Sequence, residues 1–188
     1  MGTCGCWGGG HKEFGNKTKK SNVTLDTFHL GPEAVIVKSG LRLCGSGVAL
    51  ANAPLVQNKS CWEVTVQAQG TWGLGVAHRQ IDLGSVLLGK SPGSWVLRST
   101  GKLMCSDVLY GETPHKFVEG DIITVTYNHD ALSFFINGVQ LSSIFTTVRG
   151  EVYPAVYVAE GAILDLEFAN FTHPVASFGE ILIERSVL

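Results

Sequence analysis

"GTWGLGVAHR", residues 70–79, is the stretch whose reading decides the fold of this chain. Its glycines admit two readings. A glycine loop that cradles phosphate stands between a strand and a helix, because the unpaired N–H groups of the helix supply the anion site. Nothing with helical spacing follows Ala77, and counting from Gly73 the third glycine of G-x-G-x-x-G would fall on His78. The other reading fits: Trp72, Leu74 and Val76 alternate with Gly73, Gly75 and Ala77. A strand sorts these into a bulky face and a nearly bare one, as expected where another backbone or a large ring packs close.

Working outward, the same period of two recurs. In "CWEVTVQAQ" (61–69), Trp62, Val64, Val66 and Ala68 share one face and Glu63, Thr65, Gln67 and Gln69 the other, which predicts a strand with one dry face. In "LSFFINGVQL" (132–141) the Asn137-Gly138 pair separates alternating apolar residues, and both residue types accept the positive φ of a tight hairpin. "IITVTYNHDALSFFI" (122–136) predicts a reversal near Asn128 to Ala131, and "VYPAVYV" and "AILDLEF" one at Glu160-Gly161. Further turns are predicted at Ser39-Gly40 and Thr100-Gly101. No segment keeps an apolar spacing of three and four over ten positions, so helices are held to a turn or two. About twelve short strands joined by hairpins cannot form βαβ crossovers; the fold class is all-β, with two antiparallel sheets stacked face to face.

The chain has 188 residues, 45% hydrophobic and 16% charged, enough for one domain with a core of its own. Residues 1–22 read as a flexible leader and 23–188 as the β domain. The leader is Gly-, Lys- and Asn-rich; Lys12, Lys17, Lys19 and Lys20 against Glu13 give it a net +3, leaving −5 on the body. Five cysteines at 4, 6, 44, 61 and 105 lack framework spacing and no secretory signal precedes them, so a cytoplasmic, reducing location is expected and the four N-x-S/T sequons are read as chance. No apolar run approaches the roughly 20 residues of a helical membrane span.

"WEVTVQAQGTWGLGVA", "GDIITVTYNHDALSFFINGVQL" and "VYPAVYVAEGAILDLEF", in this order and at these separations, resemble the hallmark blocks of a SPRY domain. The resemblance spans roughly residues 23–185. It implies that the two antiparallel sheets form a bent sandwich of the concanavalin-like type, with no catalysis and with recognition of a peptide or folded protein by surface loops. In the SPRY proteins that carry a SOCS box and grip Asn-rich peptides, a Val-Trp-Gly step follows the Tyr-Pro strand and a tyrosine lies three residues before Leu-Leu-Gly. Here those places hold Ala159-Glu160-Gly161 and Gly84, so that peptide specificity does not carry over.

A rigid scaffold that presents loops can bind without a large ordering cost, which directs attention to the loop after the small-residue strand. Its candidate contacts are Arg79, Gln80, Asp82, Leu83, Leu87, Lys90 and Pro92, joined from other loops by Tyr110, Glu160 and His173. A second reading is a carbohydrate-binding or glycan-active sandwich, since Asp165 and Glu167 project from one strand face and glycosidases work with paired carboxylates. The Glu-x-Asp-x-x-Glu strand pattern of such enzymes is absent, and a solvated outer face is the plainer expectation for the pair. A third is a structural subunit of a larger assembly.

Six scattered histidines do not provide the converging ligands of a zinc site, and Ser46 between Gly45 and Gly47 lacks the full nucleophile motif, so no metal, cofactor or catalytic residue is expected. The aromatics sit among apolar strands rather than among clustered Arg and Lys, which argues against nucleic acid. The N-terminus "MGTCGCW" places Gly2 behind the initiator, with Cys4 and Cys6 close by and lysines downstream. N-myristoylation ordinarily calls for Ser or Thr at position 6, where Cys6 is similarly small. One myristoyl chain binds membranes only marginally, so palmitate on Cys4 or Cys6, or the lysines, would supply a second attachment. Membrane contact through an acylated N-terminus is the resulting expectation.

Overall fold

The computed structural model describes residues 21–84 and 88–183. Gly2, Cys4, Cys6 and Leu87 therefore lie outside the described residues. Among those described, thirteen strands and one short 3-10 turn, Lys38–Gly40, account for the regular structure. The strands are β1 Leu25–Leu30, β2 Glu33–Val37, β3 Arg42–Ala51, β4 Lys59–Ala68, β5 Thr71–Ala77, β6 Ser94–Arg98, β7 Lys102–Cys105, β8 Val108–Glu112, β9 Ile122–Asn128, β10 Ala131–Ile136, β11 Val139–Gln140, β12 Tyr153–Ala159 and β13 Ile163–Glu167.

All pairings are antiparallel, and β3 belongs to both layers. Its first half, Arg42 to Ser46, pairs with β2 and β13; from Gly47 onward it pairs with β12, and Ala49 and Ala51 also face β1. The switch falls between Ser46 and Gly47, and just before it Gly45 takes a φ of +83° that suits glycine, its missing Cβ leaving room for the Glu33 carbonyl. The upper layer then runs β1-β3-β12-β5-β6-β7-β8 and the lower β2-β3-β13-β4-β9-β10-β11. Each predicted reversal is present. Asn137 and Gly138 have φ of +49° and +82° between Ile136 and Val139, which face each other across the hairpin. The Asn137 side chain also accepts from the Ile122 N–H at 2.9 Å and donates to Asp121 at 2.9 Å, fixing the hairpin to the start of β9.

The layers enclose one core in which Trp62, Val64, Val66, Trp72, Leu74, Val76, Phe134, Phe145 and Phe168 are buried. The upper layer is apolar on its other face too: Val48, Leu50, Val96, Met104, Tyr153 and Tyr157 form a second cluster with Leu88. Gly73 and Gly75 face this side. A Cβ on Gly73 would lie 3.1 Å from the Tyr157 ring, and one on Gly75 would run into the backbone of Trp95 and Val96. The close ring and the close backbone expected from the sequence are both there.

Two sequence expectations are corrected on the lower layer. Glu63, assigned to a wet face, is 2% exposed. The chain beyond β13 folds back over β4, and the Glu63 carboxylate accepts from the backbone N–H groups of Thr172 at 2.7 Å and His173 at 2.6 Å, and from the Thr124 hydroxyl at 3.3 Å. A carboxylate with that many donors is stable without water. Asp165 is likewise buried rather than solvated: it takes two bonds from the Arg42 guanidinium and one from Lys38 at 2.7 Å. Burial pushes its pKa up, but those bonds outweigh burial and hold it below the ordinary aspartate value.

Candidate functional site

In the connection between β5 and β6, residues 78–93, the described limbs 78–84 and 88–93 lie over the outer face of the upper layer. Ile81, Leu83 and Leu88 pack there against the second apolar cluster. Its two ends are tied together, the His78 N–H donating to the Gly93 carbonyl at 2.8 Å. The His78 ring donates from Nε2 to the Arg149 carbonyl at 2.7 Å and meets Trp95 edge to face at 5.4 Å between centroids. Gly93, with φ of +83°, lies so near this imidazole that a Cβ would collide with it. The returning limb is held by Arg98, which donates twice to the Leu88 carbonyl at 2.9 and 3.2 Å, and by Ser94, which accepts from the Gly89 N–H at 2.9 Å.

The outgoing limb is clamped to β1 and β12 through Arg79. Its guanidinium donates to Asp26 at 3.2 Å and stands 5.2 Å from the centroid of the Tyr153 ring. Nδ1 of His29 lies 3.0 Å from the same Asp26 oxygen and 3.0 Å from the guanidinium, so it accepts from Arg79 or donates to Asp26 according to its tautomer. The Tyr153 hydroxyl donates to Glu151 at 2.8 Å. Burial, and then this carboxylate, raise the Tyr153 pKa. Two acids, one arginine and two rings thereby join three chain segments at the rim.

Beside the clamp, β1 bulges: only Leu25 and Leu30 keep register with β3, opposite Ala51 and Ala49. The Asp26 carboxylate accepts from the Phe28 N–H at 2.8 Å and turns the bulge outward. Phe28 is left 91% exposed, next to an open groove lined by Thr24, Thr27, Ser39, Gly40 and Asn52. Sequence reasoning missed it. The available signal was Asp26 two residues before the aromatic, a spacing at which an aspartate can bond the backbone locally.

The structure gathers some of the sequence-derived candidates and scatters others. Arg79, Gln80, Asp82, Leu83, Lys90 and Pro92 share the 78–93 loop. Gln80, Asp82, Lys90 and Pro92 are exposed there, whereas Leu83 is half-buried against the sheet and Arg79 works as the clamp. Tyr110 sits on β8, the outermost strand of the upper layer, its ring tilted against Phe145 at 5.3 Å between centroids. Glu160 follows the far end of β12 from Tyr153, about 20 Å along the strand, and accepts from the Thr71 hydroxyl. His173 belongs to the lower layer, where its backbone serves Glu63 and its ring lies over Gly138. Asp165 and Glu167 are committed inside the fold, Asp165 to Arg42 and Lys38, Glu167 to the N–H groups of Ala169 at 2.9 Å and Asn170 at 3.1 Å.

The SPRY-domain family model matches residues 59–171. The chain belongs to the SPRY family. It is 42% identical over 168 residues to human SPRY domain-containing protein 7, a match covering 88% of this chain and 86% of that one. Among solved structures, the SPRY domain of human HERC1 superposes with a TM-score of 0.64 at 20% identity, covering 76% of this chain and 96% of that one. The TRIM65 PSpry domain gives 0.64 at 15% identity over 78% and 89% of the respective chains. The family match starts at β4. In this SPRY domain β1–β3 complete both layers, β1 carries Phe28 and Asp26, and β3 makes the corner.

Proposed function

We propose that this SPRY domain is a non-catalytic module that binds a protein or peptide at the rim formed by the β1 bulge and the 78–93 loop, and that an acylated N-terminus holds it on a cytoplasmic membrane face. SPRY domains typically serve as protein-interaction modules, and the family membership supports the first half. The observation that carries it is Phe28, a fully presented aromatic beside a loop that is already cross-linked by Arg79 and His78. Interface energy concentrates in such anchors, and side chains already held in place, as Arg79 and His78 are, add little entropic cost.

The second half rests on Gly2, Cys4, Cys6 and the leader lysines. Removal of Met1 frees the Gly2 amine, which takes the acyl group from a myristoyl thioester with loss of the thiol. Among the described residues no helix is long and apolar enough to cross a membrane, so contact by this route is peripheral.

The test is partner capture from native lysate by the full chain with an untagged N-terminus. Phe28→Ala with Lys90→Ala, both exposed, should remove a specific partner by tenfold or more while the thermal midpoint stays put. Undiminished capture by the double variant refutes the rim.

A further inference from the structure

Among the described residues the two layers end in four edge strands, β1 and β8 above, β2 and β11 below. Three of them are poorly suited to further pairing. β1 and β8 are each broken by a bulge, and β11 has only two residues, Val139–Gln140. β2 carries no such protection. Its five residues, Glu33–Val37, match Ser46 to Arg42 of β3 one for one, with no bulge and no proline. Among the described residues β2 pairs with β3 alone, so its other side presents a row of unpaired N–H and C=O groups. Val35 and Val37 stand on the outer face, 48% and 41% exposed, while Ala34 and Ile36 turn to the core. A regular, apolar, open edge is a template for another strand.

Charge indicates which strand. Glu33, at the start of β2, is exposed. At the other end Lys38 and Arg42 carry two positive charges against the single negative charge of Asp165. The strand therefore runs from a net negative end to a net positive one. An antiparallel copy of itself laid along the open edge sets each end against its opposite, twice over, whereas a parallel copy would set like on like. Centred on Val35, this pairing places Val35 against Val35 of the second copy, and Glu33 against Val37 of the second copy, next to its Lys38. The four valines then form one strip on a single face. Such a contact has twofold symmetry and closes on itself, giving dimers rather than fibres.

We infer that β2 is a dimerisation edge, through which two copies of this chain join their lower layers into one continuous antiparallel sheet.

The test is sedimentation velocity of the full chain over a concentration series, with amide exchange on the same samples. The expected result is a reversible monomer–dimer equilibrium in which the amides of residues 33–37 slow as the dimer fills. Val35→Lys, which sets two ammonium groups face to face at the twofold, should raise the dimer dissociation constant about tenfold or more. Glu33→Lys, which brings positive charge to the positive end, should raise it about threefold, and more at low salt than at high. Leu109→Lys, at a comparably exposed position on β8, should leave it unchanged. Thermal midpoints of the variants, read where all are monomeric, should agree with that of the parent. A chain that stays monomeric throughout the series overturns the inference. So does a dimer that forms as tightly with Val35→Lys, or one that protects β8 instead of β2.

Discussion

The outer faces of the two layers are covered by different chemistry. Over the upper layer, the 78–93 loop lays Ile81, Leu83 and Leu88 on Val96, Met104, Tyr153 and Tyr157. Over the lower layer the cover is polar: Glu63 grips the N–H groups of residues 172 and 173 of the covering chain, and beside it the side chains of Arg42 and Lys38 close over Asp165. An apolar cover is non-directional and loses contacts gradually when trimmed. A buried carboxylate is all or nothing, since deleting it strands every donor aimed at it. The proposed binding rim stands on the first kind of cover, edged by the Arg79 clamp, and the C-terminal strap depends on the second.

The largest expected effect is therefore from Glu63→Ala. It should lower stability by about 4 kcal/mol, read as a fall in the thermal midpoint, and speed amide exchange over 172–183 while 78–93 keeps its protection. Equal loosening of both covers would erase the distinction. Next comes Leu88→Ala, at about 3 kcal/mol, with faster exchange confined to 78–93; the Phe28→Ala and Lys90→Ala changes on the same rim should cost under about 0.5 kcal/mol, so that lost binding is separable from lost fold.

The smallest effect is on pH dependence. Asp165 and Asp121 both have folded pKa values below the ordinary range: burial opposes this in each, and Arg42 and Lys38 overcome it at Asp165, His115, the Val118 N–H and Asn137 at Asp121. Depressed carboxylates stabilise the fold above their unfolded pKa, about 4, and that contribution is lost as pH falls through the lower, folded value. Asp165→Asn should flatten the acid limb of a stability–pH curve without abolishing it, because Asp121 still titrates. An unchanged acid limb would show that the Arg42 and Lys38 bonds add nothing.

Sequence patterns located the strands but not their covers. Trp62, Val64 and Val66 announce β4 by their spacing, and the same spacing sends Glu63 to water, since a period of two separates faces without saying what lies on either. Arg79 was legible as a loop residue after β5. Its bond to Asp26 joins residues far apart in sequence, and no local signal carries such a contact. Phe28 was hidden for the opposite reason. An aromatic in "LDTFHL" reads as core until the bulge at β1 turns it outward.

What the chain by itself determined is the repertoire of local conformations: alternation that can only be extended backbone, Asn137-Gly138 and Glu160-Gly161 as reversals because both positions of each adopt positive φ, and glycines at 73 and 75 where any larger residue would strike Tyr157 or the backbone of β6. What only tertiary structure decided is burial and company. Whether a carboxylate is solvated or clasped, an arginine free or clamped, a phenylalanine packed or presented, depends on segments brought together by closing two sheets around one core. The free energy of those contacts belongs to pairs of distant residues, so no single stretch of sequence contains it.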